Sequence, residues 1–570
     1  MGTKPHASPS ATRSAPRLAL WIVAATLALV RFLWLTADFP NNSPWIIDQA
    51  KFTDEGWWAN AAVMHTLTGH WHVPGDYNPA AALPIWPTLV GVLFHFTGVS
   101  LLAARALDVA ISVATLAVGY ALLRRCVQNP LAARVAVVLL AASPFAFAFS
   151  RLAILDTLVL FEFCLMLLVA AFTARNRIWP LPVLALLVSA ALLTKTTSAV
   201  LIPAPAWLAW NGSGRGLRAV PPILLAAAVV PFVLVQAYLA LAAHFGYGPD
   251  ITTFYTVNAM AGMDWSQFPH WLGELARNGF LIDRLLYPLT LAILLASVTF
   301  VRRLWRNPLF SASWIALACQ ATFILRRQDD YAPRYFLVLL VPLVFVVVLA
   351  FDAALRSSRL AAGALAATMT AAVVLDSFAI AGFLRHREYR LTDAARQIGD
   401  IVRADPIRSP LLVGPSAAEV GLIARLPSIN GTWGADDAGH TIARFRPGWY
   451  LAWNGEIDPA ALRGYALLPV ARYRFFDDDE RVELTLYRIG ESKDGHGTQE
   501  SRGSVFRDFS ANSRFLPSAS QEERSPRSAA IFRQHLVGGM QQLLGLVPGW
   551  LAEEFCVELP DVRIVVGAAP

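Results

Sequence analysis

Long apolar segments separated by short polar ones occupy most of the chain. The first apolar run covers 18–37, and ten more follow at about 106–123, 132–149, 157–173, 178–194, 196–210, 219–243, 281–301, 308–325, 334–351 and 360–383. A helix needs about 20 apolar residues to cross a bilayer. The pattern therefore predicts about eleven transmembrane helices. The first run is too long for a signal peptide and is expected to stay as a span behind a polar tail at 1–17.

The composition supports lipid as the solvent for most of the chain. Hydrophobic residues make up 56% and charged residues 15% of the sequence, against about 25% charged residues in a soluble domain. Helices suit such a chain because they satisfy their own backbone hydrogen bonds in lipid. The net charge of +7 comes from basic residues that punctuate the apolar runs rather than cluster on one polar face. We therefore expect a multi-pass membrane protein with no nucleic-acid partner.

The distribution of arginine predicts the orientation. The segment 83–104 is long enough to cross but contains Pro84, Pro87 and His95. If it lies in the membrane interface instead, the cytoplasmic loops carry the arginines at positions 124, 125, 175, 177, 215, 218, 302, 303, 306, 356 and 359. The positive-inside rule favours that choice. The N-terminal tail is then cytoplasmic, and the plasma (inner) membrane displays the loops 38–105 and 244–280 and the region after residue 385 on its extracytoplasmic side.

The chain after the last span has a different pattern. Residues 392–404 have helical periodicity, and 411–414, 449–453, 466–476 and 481–489 are typical of short strands. The predicted fold is a polytopic α-helical membrane domain at 18–387 with a small extracytoplasmic α/β domain at 388–490. The tail at 491–570 is rich in polar residues over much of its length and is predicted to be disordered.

The first predicted outer loop contains a helix start with two acidic residues. Thr53 is a candidate N-cap, which places Asp54 and Glu55 in the first turn, where the helix dipole favours carboxylates. Asp54 then shares a helix face with Trp58 and His65. Acidic residues are good helix starters without any further role. The functional alternative is that Asp54 acts as a general base on an acceptor hydroxyl.

Several short motifs in this region resemble one enzyme family. They are Asp54-Glu55-Gly56-Trp57-Trp58-Ala59, Gly69-His70-Trp71-His72-Val73-Pro74, Ala104-Arg105-Ala106-Leu107, Ser150-Arg151-Leu152-Ala153-Ile154-Leu155-Asp156 and Leu192-Leu193-Thr194-Lys195. Their order resembles that of the GT-C glycosyltransferases of the protein O-mannosyltransferase and aminoarabinose transferase type. The resemblance covers about 18–210.

The resemblance implies an enzyme that moves a sugar from a polyprenyl-phosphate carrier to an acceptor hydroxyl or phosphate group on the outer face. Asp54 would be the general base, with Glu55 and Asp156 as its acidic companions. Trp58 and His65 would line the substrate site. The acceptor class, whether lipid, glycan or protein, stays open, as does the sugar.

The chain departs from the aminoarabinose-type pattern at the end of the first loop. Those enzymes carry an acidic-Lys-Pro-Pro element there, and the corresponding stretch, 76–84, has no lysine. The candidates to bind the donor phosphate instead are Arg105, Arg151, Lys195 and Arg334, the last within a basic group that includes Arg326 and Arg327. Arg151 is favoured because it stands five residues before Asp156. Each basic side chain could instead extend to lipid headgroups.

Metal and intramembrane ligands are less well defined. His65, His70 and His72 lack a further ligand at zinc spacing. A divalent cation held by Asp54, Glu55 and Asp156 stays open as a cofactor, although the family does not require one.

Three charged residues, Arg31, Asp108 and Glu162, fall within or near predicted spans, where an isolated charge is costly. Structural ion pairs between them would explain their presence.

Two other functions fit many spans with buried charges. One is a transporter or flippase for a lipid-linked substrate, and the other is a non-catalytic binder of lipid-linked sugar. No internal repeat relates the two halves of the sequence, and a long acidic and aromatic first loop has little use in a transporter. These features favour the transferase.

Overall fold

The computed structural model describes residues 15–38, 54–71, 73–174, 177, 179–258, 268–326, 333–430, 438–455, 457, 460–462, 464–475 and 482–491. Thr53, His72, Arg327, the side chain of Arg326 and the predicted disordered tail beyond residue 491 lie outside the described part of the chain.

The first part of the chain is helical. Its helices are α1 (Ala15–Val30), α2 (Asp54–Thr68), α3 (Ile85–Thr97), α4 (Leu101–Cys126), α5 (Pro130–Ala142), α6 (Pro144–Phe149), α7 (Leu155–Ala170), α8 (Pro180–Thr194), α9 (Pro203–Gly212), α10 (Val220–Leu224), α11 (Val230–Ala242), α12 (Gly248–Val257), α13 (Phe268–Ile282), α14 (Leu286–Thr299), α15 (Pro308–Arg326), α16 (Leu337–Ser357) and α17 (Arg359–Arg385). Proline opens several of them, at a position where the missing N–H costs nothing.

Five of the described helical segments are long and apolar enough to cross a membrane: Leu101–Cys126, Leu217–Thr256, Pro308–Leu325, Pro333–Ser357 and Arg359–Arg403. Five shorter apolar helices accompany them, at Leu18–Val30, Ile85–Thr97, Pro130–Ala142, Pro180–Thr194 and Leu286–Thr299. The predicted multi-pass helical architecture is confirmed, whereas the number of spans stays a prediction. Helix α16 forms the centre of the bundle, since its apolar residues from Leu337 to Phe351 are all buried.

The break between α3 and α4 explains the ambiguous apolar segment at 83–104. Gly98 adopts a positive φ of 67°, and Ser100 then caps α4 by accepting a hydrogen bond from the Ala103 amide. Helix α3 has 13 residues and is therefore about 20 Å long at 1.5 Å per residue. This length is too short for an independent crossing of a hydrocarbon core about 30 Å thick.

The two ends of α4 mark two ends of the bundle. Near its C-terminus, Asn307 donates to the Cys126 carbonyl at 3.0 Å, and Asp352 accepts from the Asn129 amide at 2.8 Å. Arg303 donates to Ser357 Oγ at 2.6 Å close by in the chain. We call this the arginine end because loops with predicted cytoplasmic arginines meet there. Helix α2 lies at the other end, beside Arg105 in the second turn of α4.

The C-terminal region is a small α/β fold, as predicted. Its elements are α18 (Arg390–Arg403), β1 (Leu412–Val413), α19 (Ala417–Ala424), α20 (Ala438–Phe445), β2 (Trp449–Trp453), β3 (Tyr465–Arg474) and β4 (Glu483–Glu491). The sheet order is β1-β2-β4-β3, with β1 parallel to β2 and the other pairs antiparallel. The predicted helix and strands are confirmed to within two residues. The domain limits at 387 and 388 stay predictions.

Candidate active site

Two ion pairs lie at the α2 end of the bundle, and the cation of each is close to the same tyrosine ring. Asp54 Oδ2 lies 3.0 Å from Arg334 Nη2, and Asp156 Oδ1 lies 2.6 Å from Lys195 Nζ. The ring centroid of Tyr335 is 4.6 Å from Lys195 Nζ and 5.4 Å from Arg334 Cζ. We call these five residues the paired-charge cluster. The tyrosine links the two ion pairs, since cations are attracted to aromatic faces at such distances.

Helix ends position each member of the cluster. Asp54 opens α2 and Asp156 lies in the first turn of α7, where the helix dipole stabilises a carboxylate. Lys195 follows the last residue of α8 in an extended conformation. The turn Pro333–Phe336 leads into α16, and the Tyr335 carbonyl accepts from Gln320 Nε2 at 2.9 Å.

The cluster is partly open to its surroundings. The Asp54 side chain is 18% exposed and that of Arg334 is 12% exposed, whereas that of Asp156 is 6% exposed. A substrate group can therefore reach the Asp54–Arg334 pair. The limited access of water strengthens the interaction of these charges with any bound anion.

Glu55 points away from this cluster although it follows Asp54 in sequence. It is fully buried and binds Arg105 through both carboxylate oxygens, with Arg105 Nε 2.7 Å from Oε1. The same Oε1 accepts from the Ala153 amide at 2.8 Å. Arg105 also donates to the carbonyls of Leu35 and Ala37. These bonds join the segment after α1, the start of α2, helix α4 and the turn before α7. They direct the guanidinium of Arg105, a predicted phosphate ligand, into the protein interior.

Arg151 is likewise engaged by backbone. Its guanidinium donates to the carbonyls of Arg31, Leu33 and Trp34, at 2.7 to 3.0 Å, where the first helix ends. Its Cζ lies 4.9 Å from the centroid of the Phe147 ring. Arg151 is close to Asp156 in sequence, but these contacts hold its guanidinium at the end of the first helix and not at the paired-charge cluster. Cationic side chains near a helix C-terminus stabilise its unpaired carbonyls.

The charged residues inside the bundle do not form the expected ion pairs. Arg31 is buried and donates to Ser112 Oγ at 2.7 Å, as well as to Ser150 Oγ and three carbonyl oxygens. Glu162 instead accepts from Thr194 Oγ1 at 2.8 Å. Asp108 is fully buried near Thr157. In the part of the chain that the structure describes, Arg31 forms no ion pair with either acid, so the expectation of such pairs was wrong.

The two predicted substrate-lining residues differ in their surroundings. Trp58 is half-buried and packs on the apolar core around α2 and α3. His65 stacks on Trp71 with ring centroids 4.7 Å apart. It lies eleven residues after Asp54, about 16 Å along the helix axis. A cleft of about 240 Å³ opens beside Trp71 and is also lined by Asn78, Pro87, Tyr238 and Tyr247.

Within the described ranges, no group of three or more His, Cys, Asp or Glu side chains is arranged to hold a metal ion. Asp54 and Asp156 are each bound to a cation of the protein instead. A divalent cation therefore stays a prediction.

Glu419 in α19 is a buried acid next to the start of α2 that the sequence analysis did not single out. It is fully buried, and its Oε2 accepts from the Gly56 amide at 2.6 Å. Burial, together with the nearby Glu55 carboxylate, raises the pKa of Glu419 well above its usual range. The sequence signal was a single acid within the apolar segment Ala417–Ala424.

Comparison with known proteins agrees with this architecture. Residues 81–240 match a family model described as dolichyl-phosphate-mannose-protein mannosyltransferase. A search of curated proteins found no match.

Among solved structures, the crystal structure of ArnT from Cupriavidus metallidurans bound to undecaprenyl phosphate is similar, with a TM-score of 0.56 and 12% identity over 84% of this chain and 98% of that chain. The same protein in the apo state gives a TM-score of 0.52 and 13% identity over 83% of this chain and 98% of that chain. The S. cerevisiae protein O-mannosyltransferase Pmt1–Pmt2 complex bound to the sugar donor gives 0.31 and 14% identity, over 41% of this chain and 34% of that chain.

The ArnT comparisons show a common fold along most of the chain, and the family match covers the segment that begins in the first loop and continues to α11. Over most of its length this chain therefore has the fold of ArnT, and residues 81–240 are similar in sequence to the mannosyltransferase family.

Proposed function

We propose that the enzyme transfers a sugar from a polyprenyl-phosphate carrier to a hydroxyl or phosphate group of an acceptor. The paired-charge cluster is the main support for this proposal. It combines the partly exposed carboxylate of Asp54 with the cations of Lys195 and Arg334 at the α2 end of the bundle. The family description names a dolichyl-phosphate sugar, and the similar ArnT was crystallised with undecaprenyl phosphate. Both carriers join a phosphate to a polyprenyl chain.

In the proposed reaction, an acceptor hydroxyl oxygen attacks the anomeric carbon of the sugar as the bond from that carbon to the carrier phosphate oxygen breaks. The configuration at the anomeric carbon inverts, and polyprenyl phosphate leaves. Asp54 takes the proton of the acceptor hydroxyl. Lys195 and Arg334 stabilise the negative charge that develops on the leaving phosphate. The Tyr335 ring keeps these two cations on the same side of the site.

The two ion pairs of the paired-charge cluster hold its charged side chains in place before the reaction. Arg334 is the ion-pair partner of Asp54 before the donor arrives. The carrier phosphate then competes with Asp54 for the guanidinium, so donor binding releases the carboxylate toward the acceptor. Asp156 holds Lys195 through a similar ion pair. Asp156 therefore orients a cation and takes no proton.

We further propose that the α2 end of the bundle and the C-terminal α/β domain face the extracytoplasmic side of the plasma membrane. The arginine end then faces the cytoplasm, in agreement with the positive-inside rule. A lipid, a glycan or a protein could supply the acceptor group.

The proposal is tested in membranes that contain the protein and a radiolabelled polyprenyl-phosphate sugar. We expect label to reach an acceptor with wild-type protein and not with Asp54→Asn at an equal protein level. Asp400→Asn is a matched control, because that carboxylate lies on α18 and its side chain is 78% exposed. Transfer by Asp54→Asn at the wild-type rate contradicts the assigned base. Absence of transfer from every polyprenyl-phosphate sugar supplied contradicts the donor class.

A further inference from the structure

The first turn of α2 is bonded to the C-terminal α/β domain. The Gly56 amide donates to Glu419 Oε2 at 2.6 Å, across 363 residues of sequence. Amides in the first turn of a helix have no acceptor within that helix. Glu419 therefore gives α2 a helix cap from a distant part of the chain, two residues after Asp54.

The contact leaves no space for a side chain at Gly56. A Cβ atom there would lie 2.2 Å from the backbone carbonyl carbon of Ala418. One turn further along α2, Asn60 Nδ2 donates to the Ser428 carbonyl at 3.2 Å, and Ser428 Oγ donates to Asn60 Oδ1 at 2.9 Å. Three hydrogen bonds and a close backbone approach thus hold the first two turns of α2 against this domain.

A second cap runs in the opposite direction. Asp38, after α1, accepts from the Leu391 amide at 2.8 Å and from Thr392 Oγ1 at 2.8 Å. These residues open α18. Each part of the chain therefore caps a helix of the other, so the helix start that carries Asp54 is built jointly with the α/β domain.

We propose that Glu419 is a positioning residue for sugar transfer, which acts by capping α2 and so holding Asp54 toward Arg334. The inference rests on the proposed function, because it assigns the orientation of the base to the α/β domain. Asp54, Glu55 and Arg105 are the charged groups around Glu419. A neutral acceptor suits this place, since another full negative charge would repel Asp54 and Glu55 in the same turn.

Three full-length variants test this role in the transfer assay. Glu419→Ala removes the acceptor, Glu419→Asp retracts it by one methylene, and Glu419→Gln keeps an uncharged oxygen at full length. We expect kcat per folded protein to fall about 100-fold in Glu419→Ala and about 10-fold or more in Glu419→Asp, because small misplacements of a catalytic group are costly. The donor KM should stay within about twofold, since Arg334 and Lys195 are intact. Glu419→Gln should retain kcat within about threefold. Asp400→Ala, on the exposed side of α18, serves as the control.

Hydrogen exchange gives a readout that does not depend on activity. The amide of Gly56 should exchange faster in Glu419→Ala than in the wild type, and at the wild-type rate in Glu419→Gln. The proposal is overturned if Glu419→Ala or Glu419→Asp keeps kcat within about threefold of wild type. It is also overturned if Glu419→Gln is as slow as Glu419→Ala at the same folded amount. Failure of the proposed function looks different, because wild-type protein then shows no transfer that depends on Asp54 while the exchange result still reports on the cap.

Discussion

Arg105 and Arg334 are both candidate ligands of the donor phosphate in the sequence. The structure predicts that replacing Arg105 affects mainly stability, whereas replacing Arg334 affects mainly donor binding. Arg105→Met should destabilise the protein, because the Arg105 and Glu55 side chains are 4% and 0% exposed. Removing one partner of a buried ion pair costs about 3–5 kcal/mol. Arg334→Met breaks a pair that is 12% and 18% exposed. Its effect on stability should be smaller than that of Arg105→Met, because both side chains of the Asp54–Arg334 pair keep some contact with water.

The effects on donor binding should be reversed. Loss of a charge-assisted hydrogen bond to phosphate costs about 1.5–3 kcal/mol, which corresponds to an increase of about 10- to 150-fold in the donor KM of Arg334→Met. Arg105 directs its donors to Glu55 and to the carbonyls of Leu35 and Ala37. The donor KM of folded Arg105→Met should therefore stay close to that of wild type.

Both quantities are measured on purified protein in detergent. Thermal unfolding midpoints report stability, and initial rates at varied donor concentration report KM below the lower midpoint. The reasoning is refuted if Arg105→Met unfolds like wild type and has the raised KM, because Arg105 is then the phosphate ligand.

Three further predictions follow from the same contacts. Lys195→Met should lower kcat about 100-fold, as expected for loss of one group that stabilises the leaving charge; steady-state kinetics at saturating donor checks this, and an unchanged kcat contradicts it. Asp38→Ala should lower the stability of the α/β domain by about 1–2 kcal/mol, because α18 loses its cap, which thermal unfolding measures against exposed Asp400→Ala as the control.

The stability of the wild type should also fall as pH rises from about 4.5, the usual pKa of a glutamate carboxyl, toward the raised pKa that Glu419 has in the folded protein. The pKa of Glu419 is raised in the folded state, so its stabilising neutral form is lost at high pH. Unfolding midpoints of Glu419→Gln should decline less over that range, and parallel declines contradict the assignment.

Local sequence signals predicted where α2 starts, but they did not predict that Asp54 and Glu55 have different partners. Asp54 and Glu55 are adjacent acids at a helix start, and both suit the helix dipole equally. Successive helical residues point about 100° apart. One acid therefore faces the Arg334 side of the helix while the other enters the buried contact with Arg105. Tertiary packing decides which acid contacts Arg334 and which contacts Arg105. The hydrophobic periodicity of the sequence does not indicate this choice.

The partners that complete the site come from distant segments. Arg334 was a candidate from the sequence because it lies in a basic group with Arg326 and Arg327. Tyr335 and Glu419 had no such signal, since an aromatic beside a span and an acid in a short helix are both common. For Arg151 the sequence was misleading. Its closeness to Asp156 suggested a shared role, whereas its guanidinium binds carbonyl groups at the end of the first helix. The membrane helices and the C-terminal strands were predictable because their periodicity is local.

The central claim is that Asp54 accepts the acceptor proton during transfer from a polyprenyl-phosphate sugar. Single-turnover transfer by purified protein in liposomes, loaded with labelled donor and acceptor, measures that step apart from product release. The account predicts that Asp54→Asn binds donor and unfolds like wild type but transfers sugar about 10²- to 10⁴-fold more slowly. A single-turnover rate equal to that of wild type would contradict it.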